Sequence, residues 1–504
     1  MRAASGSGSA LEPSASISST GKSLAHLLAA ARAEVRGEVD HPITDVTYRS
    51  EEVHAGSAFF CVPGSRVDGH QFASEACSRG AAVIVVERWL DGVPCAQARV
   101  LSVRAAMGPI SAALFEHPSR RMTVVGVTGT NGKTTVTDLL ESIFRVAGSP
   151  PGVVGTTGVR MNGRPMPFDR TTPEGPDLQR LLARMAKEGV RSVAMEVSSH
   201  GLDQRRVDGT RFRCAVFTNL SQDHLDYHGT MEAYFDAKAR LFTTDLSDRA
   251  VVNVDVVEGR ELVERATVPV VRFGLGPGVD VRATDVEVTG SGAIFTVNGV
   301  RVRSRLRGRF NVSNCLAAFA AAREVGIDDE SIVAGIEGLA GVPGRLEPVQ
   351  AGQPFDVLVD YAHSPDSLEN VLRAVRDLTA GRVIVVFGCG GDRDRGKRPL
   401  MGETATRLAD LSVVTSDNPR SEDPDAIMAH IEPGARKGGG AFLLQADRRT
   451  AIRLAIGEAR PGDVVLIAGK GHETGQEFGD RTVAFDDREV AAEELRLAGG
   501  ERIR

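Results

Sequence analysis

The sequence predicts an α/β protein in three domains. A small N-terminal α/β domain spans 21–119, a central parallel-sheet domain with a phosphate-binding P-loop spans 120–343, and a C-terminal Rossmann-like α/β domain spans 344–504. Three observations carry this prediction. Short continuous apolar runs alternate with helical stretches, as in a parallel sheet buried on both faces and joined by crossover helices. The 504 residues correspond to about three domains at roughly 100–200 residues each. The alternation is interrupted at His117-Pro118-Ser119 and at Pro343-Gly344, where turn residues mark boundaries.

Residues 1–20 are mostly Ser, Ala and Gly, too poor in apolar surface to offset ordering entropy, and are expected to be a disordered tail. A helix is expected at Leu24–Leu28, then strands at Ala58–Val62 and Ala82–Val86 separated by Pro63-Gly64 and Asp68-Gly69. The central domain opens with a strand at Met122–Val127. Further strands are expected at Ser192–Val197, Ala215–Asn219 and Ala250–Val254. From about residue 281 the pattern turns to alternation, with Asn298-Gly299 as a hairpin turn and a helix at Val312–Val325. The C-terminal strands are expected at Val357–Asp360, Val383–Phe387, Ser412–Thr415 and Val464–Ala468.

Composition narrows the function classes. Lys and Arg number 60 against 66 Asp and Glu, a net charge of −6, which speaks against a nucleic-acid partner held by counterion release. No apolar run approaches the ~18 residues of a membrane span, so no membrane insertion is expected. The six cysteines are scattered and form no Cys-x-x-Cys. That excludes a zinc ribbon or dense disulfide scaffold and suits a reducing cytoplasm.

The sharpest motif is Gly126-Val127-Thr128-Gly129-Thr130-Asn131-Gly132-Lys133-Thr134-Thr135, after a strand and before a helix. Glycine lets backbone N–H groups approach phosphate oxygens, and the helix N-terminus adds partial positive charge. Lys133 can reach the terminal phosphates of ATP, and the Thr134 hydroxyl suits Mg²⁺. Val127 stands where the common P-loop spacing has its first Gly. The motif points to ATP without saying which ATP chemistry.

The form Thr-Gly-Thr-Asn-Gly-Lys-Thr-Thr resembles the Mur ligase and folylpolyglutamate synthetase superfamily, whose members join an amino acid to a carboxylate through an acyl phosphate. Further segments narrow the resemblance to the diaminopimelate-adding branch of the Mur ligases, in peptidoglycan precursor synthesis. They are Arg170-Thr171-Thr172-Pro173, Met195-Glu196-Val197-Ser198-Ser199-His200, Gln222-Asp223-His224-Leu225-Asp226, Asp360-Tyr361-Ala362-His363, Asp417-Asn418-Pro419-Arg420 and Gly469-Lys470-Gly471-His472-Glu473.

The resemblance implies the following roles. Glu196, His224 and Thr134 hold Mg²⁺, and Lys238 is carbamylated by CO₂ so that it joins them. With Lys133 these form the catalytic set. A neutral amine must exist before CO₂ can add, so burial should depress the Lys238 pKa. ATP contacts fall to Gly129, Thr130, Asn131, Gly132, Lys133, Thr134 and Thr135, with Asn311, Asn314, Arg345, Asp360 and His363 on the adenosine and hinge side. UDP-N-acetylmuramoyl-dipeptide contacts fall to Thr171, Thr172, Ser198, Gln204, Arg206, Lys238 and Ser50. Around Ser50 the stretch Arg49-Ser50-Glu51-Glu52-Val53 keeps only Ser50 and Val53 of the family pattern. Arg170 also departs from that pattern and receives no contact.

Diaminopimelate differs from lysine by one carboxylate, which calls for a bidentate cation. Arg420 and Arg393 answer that need. Glu473 accepts from the distal ammonium, and Asp417, Asn418, Pro419 and Gly469 complete the pocket. A lysine substrate would leave Arg420 unpaired, at about 1–3 kcal/mol or more. The meso and LL isomers both carry two carboxylates and are not distinguished. A monomer is expected. The competing readings are a sister ligase for lysine or another amino acid, a folylpolyglutamate synthetase, or an ATP-binding scaffold. The scaffold would be expected to lack Lys133, Glu196, His224 or Lys238, all of which are present.

Overall fold

A computed structural model describes residues 21–29, 31–39, 42–64, 67–166 and 170–501. The tail expected at 1–20 lies outside the described residues. The strands form three main sheets and one separate hairpin, each main sheet with its own buried core.

The first sheet has five strands in the order Glu34–Arg36, Ala96–Arg99, Val83–Val86, Ser57–Phe60, Asp45–Thr47. Only the pairing of Glu34–Arg36 is antiparallel. The helix Val103–Leu114 packs on this sheet through Val103, Met107 and Ile110, and Ser102 caps it by accepting from the Ala105 N–H. One cysteine expectation changes here. Cys77 and Cys95 are joined in a disulfide, with their Cα atoms 5.6 Å apart and a sequence separation of 18. Separation along the chain did not forbid contact, because Cys77 and Cys95 both pack against one apolar cluster that includes Ala73, Ala76, Ile84 and Val86. Cys61, Cys214, Cys315 and Cys389 are free and buried.

The central sheet has eleven strands. Thr123–Thr128 lies at its middle, parallel to Ser192–Glu196 on one side and to Cys214–Phe217 on the other. Beyond Cys214–Phe217 come Ala250–Asn253, Val270–Gly274 and Val281–Thr289, still parallel, then the antiparallel strands Gly292–Val297 and Val300–Ser304. Asn298 and Gly299 both have positive φ at that hairpin, as a type I′ turn requires. The opposite edge, with Pro151–Gly155, Gly158–Met161 and Arg164–Met166, is not apparent in the sequence pattern. The helices Lys133–Val146 and Phe310–Glu324 cover one face with Val136, Leu140, Leu316 and Phe319, and the helix Gly175–Lys187 covers the other with Leu178, Leu182 and Met185.

The third sheet runs Glu347–Pro348, Asp356–Asp360, Val464–Ala468, Val383–Phe387, Leu411–Val414, Ala441–Leu444, parallel apart from its first pair. It is buried on both faces, as its continuous apolar strands require. Arg448 and Asp487 are fully buried and form a two-point ion pair, at 2.8 and 2.6 Å. Arg448 also donates to the carbonyls of Ser416 and Ala468, the residues before Asp417 and Gly469. The pair thus ties two strand ends to the helix Asp487–Glu501.

Breaking a buried pair from one side strands the other charge, at about 3–5 kcal/mol. Arg448→Met is therefore expected to lower unfolding stability by about that amount in urea titration. Arg448→Met combined with Asp487→Leu should recover most of it. Equal losses in the single and double variants would show that the pair itself is not what matters.

Candidate active site

All three strands at the middle of the central sheet end at one edge, and the site grows from their C-terminal ends, where open α/β sheets place ligands. The loop after Thr123–Thr128 turns through Gly129 and Gly132 and feeds the helix Lys133–Val146. Both glycines have positive φ. A Cβ on Gly129 would lie 1.9 Å from the Thr218 hydroxyl, and one on Gly132 would lie 2.4 Å from Asn314 Oδ1. No other residue fits this cradle. Thr130 N–H and Asn131 N–H donate to the Asn219 carbonyl and Oδ1, which holds the loop from the neighbouring strand end.

Lys133 Nζ donates to the carbonyls of Gly129 and Thr130, at 2.9 and 2.8 Å. Lys238 Nζ donates to the same Gly129 carbonyl at 3.0 Å and lies 4.3 Å from the centre of the Tyr234 ring. The helix Met231–Ala239 delivers Lys238 to a position only 1% exposed. Burial lowers the Lys238 pKa well below the ordinary lysine value, and the neighbouring Lys133 charge lowers it further. Burial lowers Lys133 as well. That is the direction in which a neutral amine becomes easier to form.

Glu196 closes the strand Ser192–Glu196 and is 1% exposed. Its two oxygens accept from Thr156 N–H and Thr156 Oγ1, at 2.9 and 3.0 Å. His224 sits at φ +56 before the short helix Leu225–His228, 3.7 Å from Asp223 Oδ2. Burial pushes its pKa down, and Asp223 only partly offsets this, so the imidazole is neutral as a metal ligand must be. Among the described residues no group of three or more His, Cys, Asp and Glu side chains gathers as a metal site. Mg²⁺ needs no such group. It takes one or two carboxylates and completes its shell with phosphate oxygens and water, and Glu196 with a carbamate on Lys238 fits that donor set.

A cavity of about 910 Å³ joins these groups, a size suited to small-molecule substrates. Thr171, Thr172, Ser198 and Arg206 line it. Thr172 Oγ1 donates to the Glu196 carbonyl and accepts from Ser198 N–H and Oγ. Arg206 donates to the Thr172 carbonyl and to Gln204 Oε1. Gln204 itself and Ser50 lie outside the cavity lining. Sequence reasoning missed Glu174, buried behind this cluster. Its carboxylate faces Arg206 at 3.0 Å, Arg170 at 2.7 Å and Arg104 at 3.6 Å. The signal was its place directly after Thr172-Pro173. It also gives Arg170, which lines the cavity, a partner.

The third sheet reaches the cavity from the other side. Asn311 and Asn314 are linked at 2.8 Å, and Asn314 packs against Gly132. Arg345 donates to Thr134 Oγ1 at 3.0 Å and stacks 4.7 Å from the Tyr361 ring. Thr135 lies beside it in the same helix turn and lines the cavity. Asp360 is bound up locally. Its oxygens accept from the Leu346 and Ala362 N–H groups, which holds the turn that carries Arg345, and Asp360 also lines the cavity. His363 Nδ1 lies 2.7 Å from the Tyr361 carbonyl, and its Nε2 faces Asp223 at 3.8 Å. Asp223, another residue the sequence reading left without a role, also faces Lys397 at 3.7 Å.

Of the diaminopimelate set, only Arg393 lines the cavity. Arg420 lies behind it at φ +53, with Nε 2.7 Å from Glu477 and NH1 donating to the Gly391 carbonyl. Asn418 donates to Glu473 at 2.9 Å and accepts from Lys470, which also donates to Glu473. Asp417 accepts from Asn418 N–H, and a Cβ on Gly469 would lie 2.4 Å from Asp417 Oδ2. Pro419 joins this knot to Arg420. The motif residues form one connected cluster, with Lys470 as the cation that balances Glu473.

Two outcomes follow. The folded Lys238 binds a proton less readily than the unfolded one, so the unfolded chain carries the excess proton between the depressed value and the ordinary 10.5. Stability should rise with pH across that window, and Lys238→Met should flatten the slope in pH-dependent urea titrations. Glu174→Gln should raise KM for the UDP-linked peptide about tenfold, some 1.4 kcal/mol, while KM for ATP stays unchanged. An equal rise in both would mean a general loss of structure.

Comparison with known proteins agrees with this geometry. The Mur ligase family catalytic domain matches residues 42–108, the Mur ligase middle domain 127–322 and the Mur ligase glutamate ligase domain 344–471. The UDP-N-acetylmuramoyl-L-alanyl-D-glutamate–2,6-diaminopimelate ligase of Geobacillus thermodenitrificans is 48% identical over 455 residues, 88% of this chain and 92% of the relative. That of Streptomyces avermitilis is 44% identical over 500 residues, 94% and 98% of the two chains. A solved structure of a ligase with the same name superposes with a TM-score of 0.67 at 35% identity, over 92% of this chain and 98% of that one. A Mycobacterium tuberculosis folylpolyglutamate synthase complexed with ADP and AMPPCP shares the fold alone, with a TM-score of 0.60 at 19% identity over 79% and 95% of the chains. The chain belongs to the Mur ligase family.

Proposed function

We propose that this chain is an ATP-dependent amide ligase that adds diaminopimelate to UDP-N-acetylmuramoyl-L-alanyl-D-glutamate, a step of peptidoglycan precursor synthesis. The observation that carries the reading is the single cavity in which the phosphate loop, the Thr172–Ser198–Arg206 cluster and Arg393 meet. Such an enclosure would accommodate a phosphoryl donor, a carboxylate-bearing peptide and a dicarboxylate amine together. The near full-length similarity to ligases of that name supports the same choice of substrates.

The peptide glutamate carboxylate attacks the γ-phosphorus of ATP, giving an acyl phosphate and ADP. The amine of diaminopimelate then attacks the acyl carbon, the amide forms and phosphate leaves. Lys133 follows the γ-phosphoryl group by exchanging the Gly129 and Thr130 carbonyls for phosphate oxygens. Arg345 stands beside Thr134 at the phosphate end of the helix and offsets charge there. Burial favours the neutral amine of Lys238; its nitrogen would add CO₂, and the carbamic acid so formed would lose one proton to give an anion. Thr134, Glu196, His224 and that carbamate would hold Mg²⁺, which would supply charge neutralisation during phosphoryl transfer. Arg206 grips the peptide, and its charge is held in place by Glu174. Arg420 and Arg393 receive the distal carboxylate of diaminopimelate, and Glu473 its ammonium. Asn131 and Ser221 both donate to Asp366, a contact that keeps the third sheet closed over the phosphate loop. Closure limits hydrolysis of the acyl phosphate.

The dependence on ATP supports work in the cytoplasm, and no helix among the described residues is long and apolar enough to cross a membrane. The chain acts as a monomer in this reading.

Phosphate release from ATP with the UDP-linked dipeptide tests the proposal. Release should require diaminopimelate, and comparing the meso and LL forms settles the isomer. Lysine should be used poorly, and Arg420→Ala should raise KM for diaminopimelate by at least tenfold. A preference for lysine would overturn the specificity reading and keep the ligase. No release with any of these amines would return the question to folate substrates. Lys133→Ala should lower kcat by about 10²–10³, the loss typical when a transition-state charge donor is removed.

A further inference from the structure

The opposite end of the central sheet carries a second cleft, of about 930 Å³. The phosphate loop and Glu196 stand at the C-terminal ends of the parallel strands, and this cleft opens at their N-terminal ends, around Thr123, Arg191 and Arg213. Its walls are the last turn of the helix Val103–Leu114, from the first sheet, and the last turn of Gly175–Lys187, from the central one. Phe115, Met122, Ala186 and Val190 supply apolar surface.

The rim is basic. Arg120, Arg121, Lys187, Arg191 and Arg213 face a single acid, Glu116. Arg121 pairs with Glu116, as does Lys22, and Arg213 pairs with Asp248. Arg120, Lys187 and Arg191 are exposed, and among the described residues their side chains have no ion-pair or hydrogen-bond partner. A chain of net charge −6 thus gathers three uncompensated cations around one concavity. The edge of the cleft is also held in an unusual backbone. Glu116 and His117 both have positive φ, and Arg121 donates to the Phe115 and Glu116 carbonyls across that turn.

We propose that this cleft binds a phosphate or diphosphate ester bearing an apolar group. The phosphate meets Arg120, Lys187 and Arg191, since arginine matches phosphate oxygens in a bidentate fork. The apolar group lies on Phe115, Met122 and Val190. The volume is that of a small-molecule site. None of these residues belongs to the ligase machinery, so the proposal stands apart from the ligase reading. An occupant would join the last helix of the first sheet to the central sheet and stabilise the folded chain by mass action.

The probe is 1-naphthyl phosphate, titrated calorimetrically into the full chain with saturating ADP to fill the phosphate loop. One probe per chain is expected, bound more weakly as salt rises. Binding should weaken at least tenfold in Arg120→Ala/Lys187→Ala/Arg191→Ala, whose thermal midpoint without probe and whose ligase activity should match wild type. Absence of binding, or equal binding by the variant, would overturn the site. Equal affinity for inorganic phosphate would overturn the apolar part of the proposal. Vesicles of phosphatidylglycerol in phosphatidylcholine separate the sources of such an ester. Probe binding without co-sedimentation supports a soluble ester, and both together, both lost in the variant, support a lipid phosphate. Co-sedimentation without probe binding would assign the cations to a flat membrane surface and overturn the cleft.

Discussion

Two lysine amines donate to one carbonyl oxygen, that of Gly129, and much of the site depends on this. Two ammonium ions so placed in a buried pocket would repel each other and lack water. Lys238 is held by helix packing in full burial, and burial together with the Lys133 charge pushes its pKa well below the ordinary lysine value. The Gly129 conformation that exposes this carbonyl is in turn open only to glycine, because a side chain there would collide with Thr218. The loop, the lysine chemistry and the packing of the neighbouring strand end are thus one constraint.

The second constraint is charge shared between sheets. Asp223, from the central sheet, lies within 4 Å of Lys397 and His363, from the third sheet. Burial alone would raise its pKa. Lys397 and the two histidines outweigh that and hold its carboxyl well below the usual range. Asp366 reaches the opposite way, onto Asn131 and Ser221. These contacts are polar, and beside them Phe310 of the helix Phe310–Glu324 packs against the core of the third sheet. An interface of that kind can open for substrates and close again.

Much of this was legible in the sequence, for physical reasons that differ from place to place. Buried parallel strands such as Val383–Phe387 and Val464–Ala468 are continuous apolar runs, so their bounds were recovered. The phosphate loop was readable because few residue types satisfy its backbone. The edge strands Pro151–Met166 and Ala441–Leu444 were missed. Pro151–Gly155 is buried throughout, but its proline and glycines break up the apolar run in the sequence, and Ala441–Leu444 is largely exposed. Glu174, Asp223 and Lys470 were passed over because each acts by balancing another charge across the fold, and sequence proximity does not display such pairing. Asp360 shows a role the motif alone does not display: it lines the cavity, and its carboxylate also takes two backbone N–H groups.

Arg420 illustrates how selectivity can coexist with a filled contact. Its guanidinium already pairs with Glu477, whose side chain is half exposed, at 49%. An exposed pair of that kind is worth about 0–1 kcal/mol. It keeps Arg420 extended and aimed without making it expensive to recruit. A diaminopimelate carboxylate can exchange with Glu477 on closure, where water is excluded and the same pairing is stronger. Lysine would close the site with nothing to offer that guanidinium, and would have to leave the weak Glu477 pair or bury an unsatisfied charge. In the proposed reading, discrimination would then arise on closure rather than on first encounter, at the step that brings the amine to the acyl phosphate.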